Sequence, residues 1–267
     1  MNRETAEMVR RRRELVERLA PFDASLWLGR PEGFPLAREL SPAELADTMS
    51  SRFVKGGLVS HWQGKTVSAQ DGNRALADAA GELEVDLYLV WTGLPLYPAE
   101  AGPVPGAEPL PDRVRAVRIF PRTHRYPPAD WMLGSLCEFL AGRRLPLMIW
   151  HTEADWPGVR ELALAHPDLT LVIESQYQKI LYHTRPLLAL MAECPNVLVE
   201  TSNLVGAGLI EHMVREFGPR RLLYGSFLPV SDPLVPLGMI LDADITEADK
   251  ALIAGGNLRR LVEEVRT

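Results

Sequence analysis

The sequence predicts a closed (β/α)8 barrel. Eight short segments rich in Val, Ile and Leu recur along almost the whole chain, and helix-start signals fall between them. The third observation is size: 267 residues, 46% of them hydrophobic, suffice to bury one large core. Strands buried on both faces read as continuous apolar runs, which is the character of these segments. An open, doubly wound sheet is the alternative, but no GxGxxG follows the first strand, so a dinucleotide-binding version has little support.

Residues 1–20, MNRETAEMVRRRRELVERLA, read as an N-terminal amphipathic helix with Met8, Val9, Val16 and Leu19 inward; residues 21–267 form the barrel. The run Arg10–Arg13 reads as a solvated helix face, with a basic interaction patch as the alternative. The strand segments are FDASLWL at 22–28, FVKGGLVS at 53–60, VDLYLVW at 85–91 and VRAVRIF at 114–120. They continue with LPLMIWH at 145–151, LTLVIE at 169–174, NVLVET at 196–201 and RLLYG at 221–225. Helices start at recognisable caps. In SPAEL, Ser41 caps, Pro42 takes the first turn and Glu44 completes a capping box. Asp130 and Asp155 are each expected to cap the helix that follows. The stretch 93–113 holds six prolines and reads as an irregular excursion from one barrel, because β/α alternation resumes directly after it.

Composition narrows the function classes. A net charge of −6 argues against nucleic acid as a partner. No apolar run reaches the roughly 20 residues of a membrane span, and the charged N-terminus lacks the apolar stretch of a secretory signal. Cys137 and Cys194 form no disulfide framework or metal pair and read as small core residues, as in a reducing cytoplasm. A small molecule is the expected partner; self-association is left open.

In a barrel, chemistry sits at the C-terminal ends of the strands. Those ends offer Ser25 and Trp27, His61 and Trp62, Thr92, Arg118, His151 with Glu153, Glu174 with Ser175, Glu200 with Ser202, and Ser226 with Phe227. Glu174 ends an otherwise apolar strand, where a carboxylate is costly unless it is paired or functional. It is the leading acid/base candidate. His151 and Glu153 in WHTE form a candidate general acid/base pair, or else a structural histidine beside a solvated glutamate. Arg118, if inward, clamps a substrate carboxylate or phosphate; if outward, it pairs with a helix acid. His61 and Trp62 either stack on a ligand or pack a loop.

Two motifs carry a family resemblance. The last strand leads into Gly225, Ser226 and Pro229 of YGSFLP, and the last helix carries Gly256, Asn257, Arg260 and Leu261 of GNLRRL. With the strand ends LPLMIWHTE, LTLVIES and NVLVETSN, these segments resemble the amidohydrolase-related metal-dependent hydrolases, over most of the chain. The resemblance implies a TIM barrel and a metal-activated water held by histidines on strands 1, 5 and 6 and an aspartate on strand 8.

Position by position, the ligand pattern fails. The paired-histidine place on strand 1 holds Ser25 and Trp27, the strand 6 place holds Ser175, and the strand 8 aspartate place holds Phe227. On strand 5 the usual spacing puts Trp150 at the ligand place and His151 one residue later, inward only if the strand is bulged. The expectation is therefore no cofactor at the standard metal site. Trp27, Trp150 and Phe227 are expected to line a partly apolar pocket, with His61, Arg118 and Ser175 as further substrate-binding groups. The leading reading is a metal-free hydrolase acting on a small carboxylated molecule, with Glu174, His151 and Glu153 as catalytic groups. The alternatives are a metal hydrolase with zinc or another divalent ion on His61, His151 and Glu174, and a non-catalytic barrel that binds a ligand or partner.

Overall fold

The structure is a computed structural model and describes residues 3–83, 86–95, 110–176 and 180–266. Eight parallel strands follow one another around a single sheet in chain order: β1 (Asp23–Leu28), β2 (Gly57–His61), β3 (Leu87–Thr92), β4 (Val114–Ile119), β5 (Leu147–Trp150), β6 (Leu171–Glu174), β7 (Val197–Glu200) and β8 (Leu222–Leu223). Backbone bonds from Ala24 N to Tyr224 O at 2.9 Å and from Trp27 N to Leu228 O at 3.0 Å bring β1 against β8 and close the ring. The (β/α)8 barrel is thus the observed fold. Six of the apolar segments read from the sequence contain their strand; 53–60 and 85–91 each end one residue short, since β2 runs to His61 and β3 to Thr92, and the first residues of 53–60 precede β2, which begins at Gly57.

The helices run α1 (Arg3–Leu19), α2 (Pro42–Ser51), α3 (Gln63–Thr66), α4 (Ala69–Ala79), α5 (Asp130–Arg143), α6 (Trp156–Ala165), α7 (Thr184–Glu193), α8 (Leu209–Phe217), α9 (Leu234–Asp242), α10 (Glu247–Ala251) and α11 (Asn257–Glu263). The capping box on α2 forms as read: Glu44 N donates to Ser41 Oγ, and Ser41 N donates to the Glu44 carboxylate. Asp155 caps α6 through Gly158 N. Asp130 differs. It is the first residue of α5 rather than its cap, and its carboxylate instead takes His166 Nε2 at 2.7 Å. On α1, Val16 and Leu19 are buried, but Met8 and Val9 are exposed, because only the C-terminal half of the helix lies on the barrel. Arg10–Arg13 are matched by acids: Glu7 for Arg10 and Arg11, Asp242 for Arg12, and Glu17 for Arg13. The proline-rich excursion lies, for residues 96–109, outside the described residues.

Alternation along each strand sorts the core into two shells. Outward residues such as Leu89, Val117, Ile149, Ile173 and Val199 meet the helices in the main cluster. Inward residues Ala24, Leu58, Val90, Ala116, Met148, Val172, Leu198 and Leu223 fill the barrel and pack with Leu258, Leu261 and Val262 of α11. Cys137 and Cys194 are both buried and unpaired. Among the described residues, no helix is long and apolar enough to cross a membrane.

The GNLRRL motif has a structural reason. Asn257 is fully buried, and its Nδ2 donates to Pro219 O at 2.9 Å and to Leu222 O at 2.8 Å, tying α11 to the start of β8. Replacing it with alanine removes both bonds, one of them to the buried Leu222 carbonyl. Asn257→Ala is expected to lower stability by about 2–3 kcal/mol in urea denaturation. An unchanged midpoint would mean that this tie is dispensable.

Candidate functional site

At the C-terminal end of the barrel the inward positions change from aliphatic to polar. One step further out they change to aromatic. The polar layer centres on Arg118 of β4, which points inward. Its Nε donates to Glu174 Oε2 at 2.7 Å and its Nη2 to Oε1 at 2.6 Å, a bidentate pair whose members are 1% and 0% exposed. Nη1 donates to Ser60 Oγ, and Gln176 Nε2 donates to the same Glu174 carboxylate at 2.8 Å. Burial pushes the Glu174 carboxyl up, while the Arg118 guanidinium and the Gln176 amide oppose that rise.

Two further carboxyl groups lie nearby. Glu200, adjacent to Glu174 in the β6–β7 register, accepts from Ser202 N at 2.6 Å and Ser175 N at 3.2 Å. Burial first, and then the neighbouring Glu174 charge, lift it to about 8. Gly225 makes room for it, since a Cβ there would come within 2.0 Å of Glu200 Oε1. Asp23 accepts from Ser25 N at 2.8 Å and Ser226 N at 2.9 Å, and so bridges β1 and the end of β8. Burial lifts it to about 6, against those hydrogen bonds. Of these three buried carboxyl groups, Glu174 alone is paired with the Arg118 guanidinium; Glu200 and Asp23 are held by backbone N–H groups.

Above this layer, Trp27, Trp62, Phe120, Trp150 and Phe227 form a single buried cluster. Trp27 is its hub: its ring centroid lies 4.9 Å from Trp62, 5.5 Å from Trp150, and 6.4 Å from both Phe120 and Phe227. The Arg118 guanidinium sits 4.5 Å from the Trp27 ring centroid, so the aromatic plug rests on the ion pair through a cation–π contact. Phe227 holds its place at φ 63°, a conformation costly for a bulky side chain, while its ring packs edge-on against Trp150 at 5.7 Å. Phe34, from the β1–α2 connection, covers the plug 5.6 Å from Phe227 and 6.1 Å from Trp62.

The rim fastens this plug. Glu153 accepts from Thr123 N at 2.8 Å and Thr123 Oγ1 at 2.6 Å and pairs with Lys65 Nζ at 3.3 Å. Lys65 in turn lies over Trp150 and Phe120, at 5.4 and 5.6 Å from the ring centroids. His151 turns away from Glu153. Because Trp150 takes the inward direction, the next residue points toward the helices, and its Nδ1 meets His183 Nδ1 at 2.7 Å.

The structure thus gathers some of the sequence candidates and separates others. Trp27, Trp150 and Phe227 do point to the barrel axis, but they pack on one another at 0–2% exposure instead of walling an open pocket. Arg118 points inward, with its guanidinium clamped on Glu174 where a substrate carboxylate was expected. Ser175 is buried; its Oγ accepts from Asn203 N at 2.7 Å. His151 and Glu153 do not face each other. His61, His151 and Glu174 do not converge either: among the described residues, no group of three or more His, Cys, Asp or Glu is arranged to hold a metal ion. His61 lies half-buried in the wall of a cleft of about 770 Å³ beside the plug, formed by the β1–α2 connection and the start of α3.

The sequence reading missed Phe120, Lys65, Asp23 and this cleft. Phe120 was within reach, since it stands two residues beyond Arg118 and so shares its face. Asp23 also carried a signal, as an acid at the start of an apolar strand. Lys65 and the cleft depend on which loops meet, and nothing local announces them.

Two expectations follow. Glu174→Leu alone leaves a buried guanidinium unpaired and should lose about 3–5 kcal/mol in urea denaturation. Combining it with Arg118→Met should recover most of that loss; a double variant no better than the single one would mean that the pair is not a coupled unit. The second concerns pH. Glu200 and Asp23 both titrate higher in the fold than in the unfolded chain, so each favours folding most below the ordinary carboxylate range. That contribution drains as pH rises, through about 6 for Asp23 and about 8 for Glu200. Stability should therefore fall between pH 5 and 8, and Glu200→Gln should flatten the slope. A slope unchanged by that substitution would count against the assignment.

Residues 110–263, more than half of the chain, match the sequence profile of an amidohydrolase family. No curated protein sequence matches the chain. Solved structures of the same architecture include an amidohydrolase 2 from Bifidobacterium longum subsp. infantis, 18% identical with a TM-score of 0.66 over 91% of this chain and 98% of that one. Another is a zinc-bound amidohydrolase from Burkholderia multivorans, 18% identical with a TM-score of 0.67 over 91% and 99%. A third is the 5-carboxyvanillate decarboxylase of Sphingomonas paucimobilis, 15% identical with a TM-score of 0.64 over 92% and 99%. These structures share the fold along nearly their whole length. The matched profile runs from just before β4 through α11, taking in the strand ends that bear Arg118, Glu174 and Glu200. With its YGSF turn and the Asn257 tie, the chain belongs to the amidohydrolase family.

Proposed function

We propose that this chain is an amidohydrolase-family barrel that has given up metal-dependent hydrolysis at its axis and works as a small-molecule-binding protein at its rim. The observation that carries this reading is the five-ring plug seated on the Arg118–Glu174 pair. A divalent ion needs several nitrogen or oxygen ligands in fixed geometry and a position open to water or substrate. Ser25, Trp27, Trp150, Ser175 and Phe227 do not fit that need. Trp and Phe supply no ligand atom, and both serines are buried, with Ser175 engaged by Asn203. The Glu174 carboxylate is already paired with Arg118.

A metal-free hydrolase acting on a small carboxylated molecule is the second reading. It draws on the carboxyl group of Glu200, lifted to about 8 and so protonated at neutral pH, beside Glu174. It requires the plug to open, because a substrate must reach Glu174 or Glu200. Relatives of this fold include a decarboxylase of a carboxylated aromatic, which makes aromatic carboxylates, lactones and activated esters the substrates to try.

Elemental analysis of protein purified without chelators, with turnover assays on those substrates, separates the readings. The expected outcome is substoichiometric metal and no turnover with or without added zinc or manganese. About one ion per chain, lost together with activity on chelation, would overturn the proposal. Turnover without metal that is abolished by Glu174→Gln in a folded protein would favour the second reading.

A further inference from the structure

We propose that the cleft beside the sealed mouth binds a zwitterionic small molecule: an ammonium group held by Glu32 and Glu39, a carboxylate held by Arg30, and an aromatic body laid against Phe34. This rests on the rim-binding reading above and names the site and the ligand class.

The cleft lies between the β1–α2 connection and the first turn after β2, and its volume of about 770 Å³ falls in the range of small-molecule sites. Its walls are preformed. Phe34 is held against the plug by edge contacts with Phe227 and Trp62, so the cleft and the plug share one wall. The His61 ring lies directly over Gly29, at φ 79°, where a Cβ would come within 2.7 Å of the imidazole; only glycine allows that approach. The connection then ends in the capping box of α2.

The charges choose the ligand. Arg30, Glu32 and Glu39 all line the cleft, and among the described residues none of them forms an ion pair. Nearby Arg38 and Arg52, by contrast, are paired with Glu44 and Asp232. His61 adds no further positive charge at neutral pH. Burial pulls it below its ordinary value against the pull of Glu39, and its Nδ1 accepts from Gln63 N at 3.3 Å, which leaves the ring proton on Nε2. One cation and two carboxylates thus face one concave, partly aromatic surface. A simple anion would meet two carboxylates there. A simple cation would leave Arg30 without a partner. A zwitterion answers both signs, and the Phe34 ring favours an aromatic body.

Isothermal titration of the intact chain with L-tryptophan, tryptamine and N-acetyl-L-tryptophan tests this, because each analogue lacks one of the two charges. Tryptophan is expected to bind saturably, and each analogue at least about tenfold more weakly, equivalent to about 1.4 kcal/mol. Arg30→Gln should abolish the preference for tryptophan over tryptamine. Glu39→Gln should weaken both of these and, by removing a like charge, strengthen N-acetyl-L-tryptophan. Neither residue forms an ion pair among the described residues, so the melting temperature of both variants should stay close to that of the parent. Absence of saturable tryptophan binding at millimolar concentration, equal binding of all three compounds, or binding indifferent to both substitutions would overturn the assignment. A stoichiometric metal at the mouth would defeat the sealed-barrel reading without altering this titration. Failure of tryptophan to bind metal-free protein would defeat the cleft assignment alone.

Discussion

The bidentate contact between Arg118 and Glu174 is the constraint around which the upper half of this barrel is arranged. Both groups are withdrawn from water, and neither could stay ionised there without the other. Their pairing fixes the inward direction of β4 and β6 at the same level. It also gives Trp27 a cationic seat and leaves Ser60 and Gln176 with definite partners. Glu200 and Asp23 find no second cation. They are accommodated by backbone N–H groups and by holding their protons to higher pH.

The plug extends this arrangement outward. Five rings fill the barrel at the C-terminal ends of its strands, and they pack with Phe227 held at positive φ. Burying an aromatic side chain contributes about 2–3 kcal/mol, enough to offset such backbone strain. Around the plug, Lys65, Thr123 and Glu153 join the loops after β2, β4 and β5 with short polar contacts. A mouth packed and cross-tied in this way forms a second hydrophobic core above the first. The open concave surface beside it lies on loops, where sequence change leaves the barrel undisturbed.

The family's motif residues have structural roles in this fold. Gly225 is required by the approach of Glu200, and Asn257 by two carbonyls near the start of β8. That is why the resemblance stays legible at the end of the chain even though the residues at the expected ligand positions differ. Fold and catalytic equipment are separable in a barrel of this kind.

The sequence by itself determined the architecture. Eight apolar runs buried on both faces, and caps such as Ser41 and Asp155, are local signals, and their physics is complete within a few residues. It also determined that Ser25 and Trp27, Ser175, and Phe227 stand at three of the strand ends read against the family's ligand pattern. Only the tertiary structure decided what those ends do together. Whether Arg118 faces a helix acid or the barrel axis depends on strand register. Whether His151 faces Glu153 depends on which neighbour takes the inward direction, and Trp150 takes it. Asp130 reads as a cap from its local sequence, but it gives its carboxylate to His166, 36 residues away. Met8 and Val9 are patterned as buried, yet α1 runs past the surface that would cover them. In each case the deciding partner lies far along the chain. Burial and charge pairing are settled by three-dimensional proximity, which no local periodicity encodes.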